Sequence, residues 1–175
     1  FFFFFLTLNP AFTGKFVGIW RLAAIHRDLW LSIPKAYVTT SASVDFSILK
    51  KKIPEYDVFG LGLSGLSDAS ANSQLKLNYG SLSTSYHKAL DENGYNTIGV
   101  GFQGTYSSMI LDVSKLTFED MLTQNGFTGT TSDVLTNGNA QNYFDLDAGL
   151  LFSGSTNGEN NYYIGTSMYH INRPK

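Results

Sequence analysis

The chain has no cysteine. That excludes disulfides, thiolate metal sites and cysteine nucleophiles. Charge is sparse: 15% of the residues are Asp, Glu, Lys or Arg, against about 25% in ordinary globular chains. The net charge is −2 and the sequence pI about 5.9, so no basic surplus exists to hold a phosphate backbone, and nucleic acid is not an expected partner. Long hydrophobic runs are also missing. The longest, residues 1–6, is far shorter than the roughly 18 residues of a membrane-spanning helix. It lacks the basic flank and small-residue cleavage site of a signal peptide. The expectation is a chain that starts within a longer sequence. No stretch carries a convincing amphipathic helix; residues 114–122 have room for one or two turns.

Aromatic and small residues are plentiful. Aromatics make up 15%, with 14 Phe and 10 Tyr, and there are 17 Gly. The 175 residues suit a single domain, 1–175.

The dominant period is two, the signature of strands. Residues 36–48 place Ala36, Val38, Thr40, Ala42, Val44, Phe46 and Ile48 on one face. The other face carries Tyr37, Thr39, Ser41, Ser43, Asp45 and Ser47. Comparable alternation runs through residues 16–27, 58–66, 75–87, 98–107, 143–152 and 162–171. The reading is all-β, with about seven antiparallel strands. Turn chemistry separates them. Residues 50–57 hold Lys50, Lys51, Lys52 and Pro54, and residues 67–74 are small and polar. Asp91-Glu92-Asn93-Gly94 and residues 154–161 are hairpin-type turns, and residues 109–142 form a long polar connection.

Two architectures fit: a soluble sandwich or small barrel with an apolar core, or a transmembrane β-barrel with an apolar outside and a polar lumen. The strands approach the roughly 9 to 11 residues that cross a bilayer. Low charge and tyrosines near strand ends (Tyr37, Tyr56, Tyr86, Tyr95, Tyr106, Tyr143, Tyr162, Tyr163 and Tyr169) point the same way. The outer-membrane type of barrel is therefore preferred. Seven strands do not close one, since bacterial barrels use an even number of at least about eight. The chain is expected to be the N-terminal portion of a larger, here incomplete, barrel.

Chemical motifs are weak. Gly60, Gly62 and Gly65, and again Gly99, Gly101 and Gly104, match the spacing of a dinucleotide fingerprint. Both triplets lie inside strands with no helix to receive a phosphate. They read as glycines of a lumen face that leave space. Asp145 and Asp147 share a strand face, and Asp45 lies on the polar face of another. These carboxylates read as lumen polar groups, with Arg21 as a partner, rather than as an acid–base pair. Gln103 belongs to the same polar set. His26, His87 and His170 have no metal-ligand spacing. No catalytic residue, metal site or cofactor is expected.

An ordered set of segments resembles one family. Leu8-Asn9-Pro10-Ala11-Phe12-Thr13-Gly14 opens it, followed by Arg21 and His26-Arg27-Asp28-Leu29-Trp30. Next come Ser43 and Asp45 within residues 36–46, then Phe59-Gly60-Leu61-Gly62-Leu63, Ser85-Tyr86-His87 and Ile98-Gly99-Val100-Gly101. Residues 112–118, 143–151 and 161–165 continue it, and Tyr169-His170-Ile171-Asn172-Arg173-Pro174-Lys175 closes it. Taken in order these segments resemble the PorP/SprF family of type IX secretion membrane proteins. The run of phenylalanines at residues 1–5 departs from it.

The resemblance implies a non-enzymatic barrel in the bacterial outer membrane, in contact with lipid. Its implied partners are periplasmic secretion components (a lipoprotein or a peptidoglycan-binding protein) and a secreted adhesin, with roles in protein secretion, surface attachment and gliding. Asn9, Pro10, Gly14, Trp30, Asn172, Arg173 and Pro174 become structural signature positions, with Asn9-Pro10 as a turn before the first strand. With the longest connection outside, residues 50–57, 90–96 and 154–161 and Phe1 are expected on the periplasmic side. A porin-like channel for small solutes and a soluble β-sandwich binding module are the alternatives. An outer-membrane hydrolase is more remote, for want of a nucleophile motif.

Overall fold

The computed structural model describes residues 5–30, 37–48, 54, 56–70, 74–112, 116, 118–123, 126–128, 131, 140–156 and 160–173. Seven long strands form one sheet. They are β1 (Trp20–Leu29), β2 (Tyr37–Ile48), β3 (Val58–Ser70), β4 (Leu75–Ala89), β5 (Thr97–Leu111), β8 (Gln141–Ser155) and β9 (Asn161–Met168). Each pairs antiparallel with its sequence neighbour, in the order β1-β2-β3-β4-β5-β8-β9. The result is an antiparallel half-barrel of the outer-membrane type, as the alternation predicts. No helix among the described residues is long and apolar enough to cross a membrane. The connection between β5 and β8 carries a 3-10 turn, Glu119–Met121, and a two-residue hairpin, β6 (Leu122–Thr123) with β7 (Gly126–Phe127). Lys50 to Lys52, most of residues 113–139, and Pro174 lie outside the described residues.

The register sorts every strand into two faces. Arg21 stands across from Asp45, Asp45 from Gly62, Gly62 from Ser83, Ser83 from Gln103 and Gln103 from Asp147. One row across the sheet is therefore polar or glycine. The row beside it reads Leu22, Val44, Leu63, Leu82, Gly104 and Leu146. We call the polar face inner and the apolar face outer.

Burial is inverted relative to a soluble protein. Leu6, Ala11, Met121 and Leu151 are the buried apolar residues among those described. The buried polar set includes Ser41, Ser43, Asp45, Ser47, Ser81, Ser83, Ser85, Gln103, Asp145 and Asp147. Leu63, Leu82, Phe102, Phe144 and Ile164 are more than half exposed. A water-soluble sheet turns such residues inward, since each buried large apolar side chain is worth about 1.5–3 kcal/mol. An apolar outer face around a polar inside belongs in lipid. On β4, Lys76 and Lys88 flank the outer-face residues Leu82, Thr84 and Tyr86 near the two strand ends.

The tyrosines divide between the two faces. Tyr86, Tyr106 and Tyr162 take the outer parity, whereas Tyr37, Tyr79, Tyr143 and Tyr163 take the inner one. The latter line the inner face and its two mouths instead of a lipid-facing belt. Strand limits also shift: β3 runs on through Ser67 to Ser70, read from sequence as turn, and β5 and β8 take in residues 109–111 and 141–142 of the long connection. Residues 16–19 are bent rather than extended, with Gly18 at φ +139°. β9 ends at Met168 because His170 adopts a left-handed φ of +56°. The 90–96 turn is closed by its own side chains: Asn96 N and Nδ2 donate to the Asp91 carboxylate at 3.0 and 3.2 Å. At the start of β3, the Tyr86 hydroxyl donates to Asp57 and holds that carboxyl below the usual aspartate range, aided by Ala89 N–H.

Candidate functional site: the N-terminal segment on the inner face

The inner face is covered. A short helix, α1 (Phe5–Leu8), and a 3-10 turn, Pro10–Phe12, lie across it before β1 begins. Asn9 organises the turn. Its Oδ1 accepts from Ala11 N at 2.8 Å, and Pro10 follows at the position where a missing N–H costs nothing. Its Nδ2 donates to Leu150 O and Thr166 O, both at 3.1 Å, which ties the segment to β8 and β9. Asn9-Pro10 makes a turn that lies on the sheet. Phe1, which the sequence reading set on the periplasmic side, lies outside the described residues; Leu6 to Gly14 run over the inner face.

The sheet is cut to receive it. A Cβ on Gly60 would overlap Thr13 O, one on Gly101 would overlap Ala11 N and Pro10 C, and one on Gly149 would overlap Asn9 Oδ1. Of the glycines that the sequence reading put on a lumen face, Gly60, Gly62 and Gly101 face the chain's own N-terminal segment and Gly99 faces the His87 ring, whereas Gly65 and Gly104 take the outer parity. Serines complete the floor. Thr13 Oγ1 meets Ser83 Oγ at 3.0 Å, and Ser85 Oγ donates to Thr13 O at 2.5 Å. Leu6 and Thr13 are buried here. Sequence reasoning missed Leu6, Thr13, Ser83 and Ser85. The available signal was the density of Gly and Ser on neighbouring polar faces, which marks close backbone approach.

Arg21 and Asp45 form the clamp. They are cross-strand neighbours, and Arg21 Nε and Nη2 reach the two Asp45 oxygens at 2.9 and 2.8 Å. The Asp45 side chain is 1% exposed and that of Arg21 23%. Asp45 Oδ2 also accepts from Gly14 N at 2.9 Å, and Arg21 Nη2 donates to Phe12 O at 3.4 Å. The ion pair thus holds both ends of one turn of the segment. Gly14 is required twice: its φ is +68°, and it lies against the Gly60 backbone. The Arg21 guanidinium stacks on Phe5 and Phe16, 5.1 and 5.0 Å from their ring centres.

The remaining sequence-selected residues scatter around this site. Ser41 and Ser43 are buried on β2; Thr39 bonds Asp68 across the sheet; Tyr37 is exposed and packs edge-on against Trp30 at 5.4 Å. Gln103 is buried and donates to Thr105 at 3.2 Å. Asp145 and Asp147 pair with the chain beyond β9, not with Arg21. His170 Nδ1 lies 2.5 Å from Asp145, and His170 N donates to Asp147 at 3.1 Å. Asn172 continues the sheet with its side chain, accepting from Leu146 N at 3.1 Å and donating to Phe144 O at 2.6 Å. Arg173 has φ +45° and bonds back to His170 O through its N–H. No cluster that fits a metal ion occurs among the described residues.

Truncating Asn9 to alanine removes the turn's cap and two ties to the sheet at once. The expected loss is about 2–4 kcal/mol, from a cap of about 1 kcal/mol and two ordinary hydrogen bonds. Urea unfolding in detergent micelles, N9A against the parent, measures it. Serine at position 9 keeps the cap and should recover only that share.

Neither a curated protein nor a solved structure is significantly similar to the chain. The family model of the type IX secretion system membrane protein PorP/SprF matches residues 1–175, the whole chain. An inside-out antiparallel half-barrel, with the opening Asn9-Pro10 signature folded onto its inner face, is thus found in a chain that belongs to the PorP/SprF family of type IX secretion system membrane proteins.

Proposed function

We propose that this chain is a non-enzymatic, closed-lumen component of the type IX secretion machinery in the bacterial outer membrane. In this reading it works through protein partners, supporting secretion or surface attachment of large proteins, rather than by passing solutes. The observation that carries the proposal is the seated N-terminal segment. A porin needs an open polar lumen, whereas here the polar face is spent on holding residues 6–14. The same observation disfavours the channel alternative.

The outer face supports the membrane location. Its apolar residues form a band suited to acyl chains, and the free edges of β1 and β9 have to be paired by further strands in a bilayer, where no water can satisfy them. The inner face then becomes the lumen, with Arg21, Tyr37, Thr39, Ser41, Ser43, Asp45, Gln103, Asp145 and Asp147 as lumen residues. The short turns 90–96 and 154–161 face the periplasm, where a lipoprotein or peptidoglycan-binding partner meets them, and the long connection faces outward, toward a secreted adhesin.

The test is affinity purification of the full-length protein from detergent-solubilised outer membranes, with mass spectrometry of what co-purifies. Periplasmic type IX components or a large adhesin are the expected companions. A barrel recovered alone, and conducting ions in planar bilayers, would favour the channel. The membrane assignment makes a second prediction. Phe102→Arg on the outer face of β5 should cost about 2–4 kcal/mol in lipid vesicles, the depth-dependent penalty for a lipid-facing charge. Guanidinium unfolding of the vesicle-bound protein measures it, and a loss below about 0.5 kcal/mol would contradict a lipid-facing Phe102.

A further inference from the structure

The N-terminal segment leaves the inner face beside a cleft that none of the contacts above uses. The cleft has a volume of 140 Å³ and lies at the mouth formed by the β4–β5 and β8–β9 turns. Lys15, Tyr95, Ser153, Ser155, Asn161 and Tyr163 line it. Lys15 is the single formal charge among the described lining residues. Its Nζ donates to Thr97 Oγ1 at 2.7 Å, and Thr97 Oγ1 lies 2.6 Å from Ser153 Oγ. No ion pair joins Lys15 to a described carboxylate.

An ammonium drawn partly out of water with one hydroxyl for company is under-compensated. Burial pushes the Lys15 ammonium below the usual lysine range. Burying a charge is costly unless an opposite charge meets it. The hydroxyl chain from Thr97 to Ser153 and the Asn161 amide add neutral hydrogen-bonding groups beside the charge. One cation matches one monoanion. A phosphate dianion would leave a negative charge unmatched among tyrosines and small residues, since no second cation lines the cleft among the described residues.

We propose that this cleft is a carboxylate-binding site, in which Lys15 receives an acidic side chain or chain terminus of a partner protein. The site itself stands on the geometry of the cleft. Only the source of the carboxylate rests on the reading of this chain as a protein-partnered component, so failure of that reading would leave binding of a model peptide intact.

The probes are an acetylated hexaglutamate peptide, the matching hexaglutamine peptide and inorganic phosphate. Each is titrated calorimetrically into the full chain in detergent micelles. Hexaglutamate should bind, and hexaglutamine should not. Lys15→Met should weaken hexaglutamate binding about tenfold, equivalent to ~1.4 kcal/mol, while Lys15→Arg stays within about threefold of the parent. Circular dichroism verifies that the variants keep their sheet. As a readout that needs no variant, carbon-13 methylation of the lysines should show its largest peptide-induced shift at Lys15. Equal binding by Lys15→Met, tighter binding of phosphate than of hexaglutamate, no binding at all, or a largest shift at another lysine would each overturn the proposal.

Discussion

Gly101→Val drives the N-terminal segment off the inner face. A side chain at this position points into Ala11 and Pro10, whose backbone atoms leave no room even for a Cβ. Overpacking at a well-filled contact costs about 1–3 kcal/mol, occasionally more. Here the strain has an outlet, because the segment can lift as a unit while the sheet stays paired through β4 and β8. A shift of ~3 kcal/mol raises the lifted population by about 100-fold. A single cysteine at Thr13, buried in the parent, reports it: maleimide labelling in micelles should accelerate by about two orders of magnitude. Gly80→Val is the control. Gly80 lies on the outer face with nothing within 4 Å of an added Cβ, so labelling at position 13 should not change. Acceleration by both variants would mean that added bulk anywhere loosens the sheet, and the fitted contact at Gly101 would lose its meaning.

Arg21→Met is the second large effect. It leaves the Asp45 carboxylate, at 1% exposure, with Gly14 N–H as its remaining partner. Removing one member of a buried pair costs about 3–5 kcal/mol, because the survivor stays charged in a poor solvent. The lower end applies here, since Arg21 is partly exposed. Asp45→Asn should cost less, as its amide oxygen can still accept from Gly14 and no charge is stranded. The double variant should be more stable than Arg21→Met alone. Urea unfolding of the three variants in micelles closes the cycle. Additive losses would show that the two side chains do not act as a clamp.

The sheet was legible because a bilayer strand writes its faces plainly. In β2 every second residue from Val38 to Ile48 except Thr40 is apolar, and the intervening ones are polar apart from the amphipathic Tyr37. The period therefore gave both strand and face. The segment before β1 was not legible in this way. Its helix draws on an apolar run, residues 5–8, with no period to read, and its docking depends on glycines from four different strands that only the register aligns. The ends of β1 and β9 were misjudged for a related reason. Gly18 and His170 take left-handed backbone conformations, which hydrophobic alternation does not encode. Arg21 had three candidate carboxylates on polar faces. The register of β1 on β2 selects Asp45.

The central claim is that the outer face meets lipid and the inner face meets the chain's own N-terminal segment. The chain carries no cysteine, so spin labels can be placed singly on β5 at positions 98, 100 and 102 to 106, leaving out Gly99 and Gly101, where a Cβ would overlap His87 and the N-terminal segment, in the protein reconstituted into vesicles. Oxygen, which concentrates in lipid, should reach labels at Ile98, Val100, Phe102, Gly104 and Tyr106 readily. Labels at Gln103 and Thr105 should be screened from it, giving an oscillation with a period of two residues. An oscillation of opposite phase, or none, would contradict the inside-out barrel.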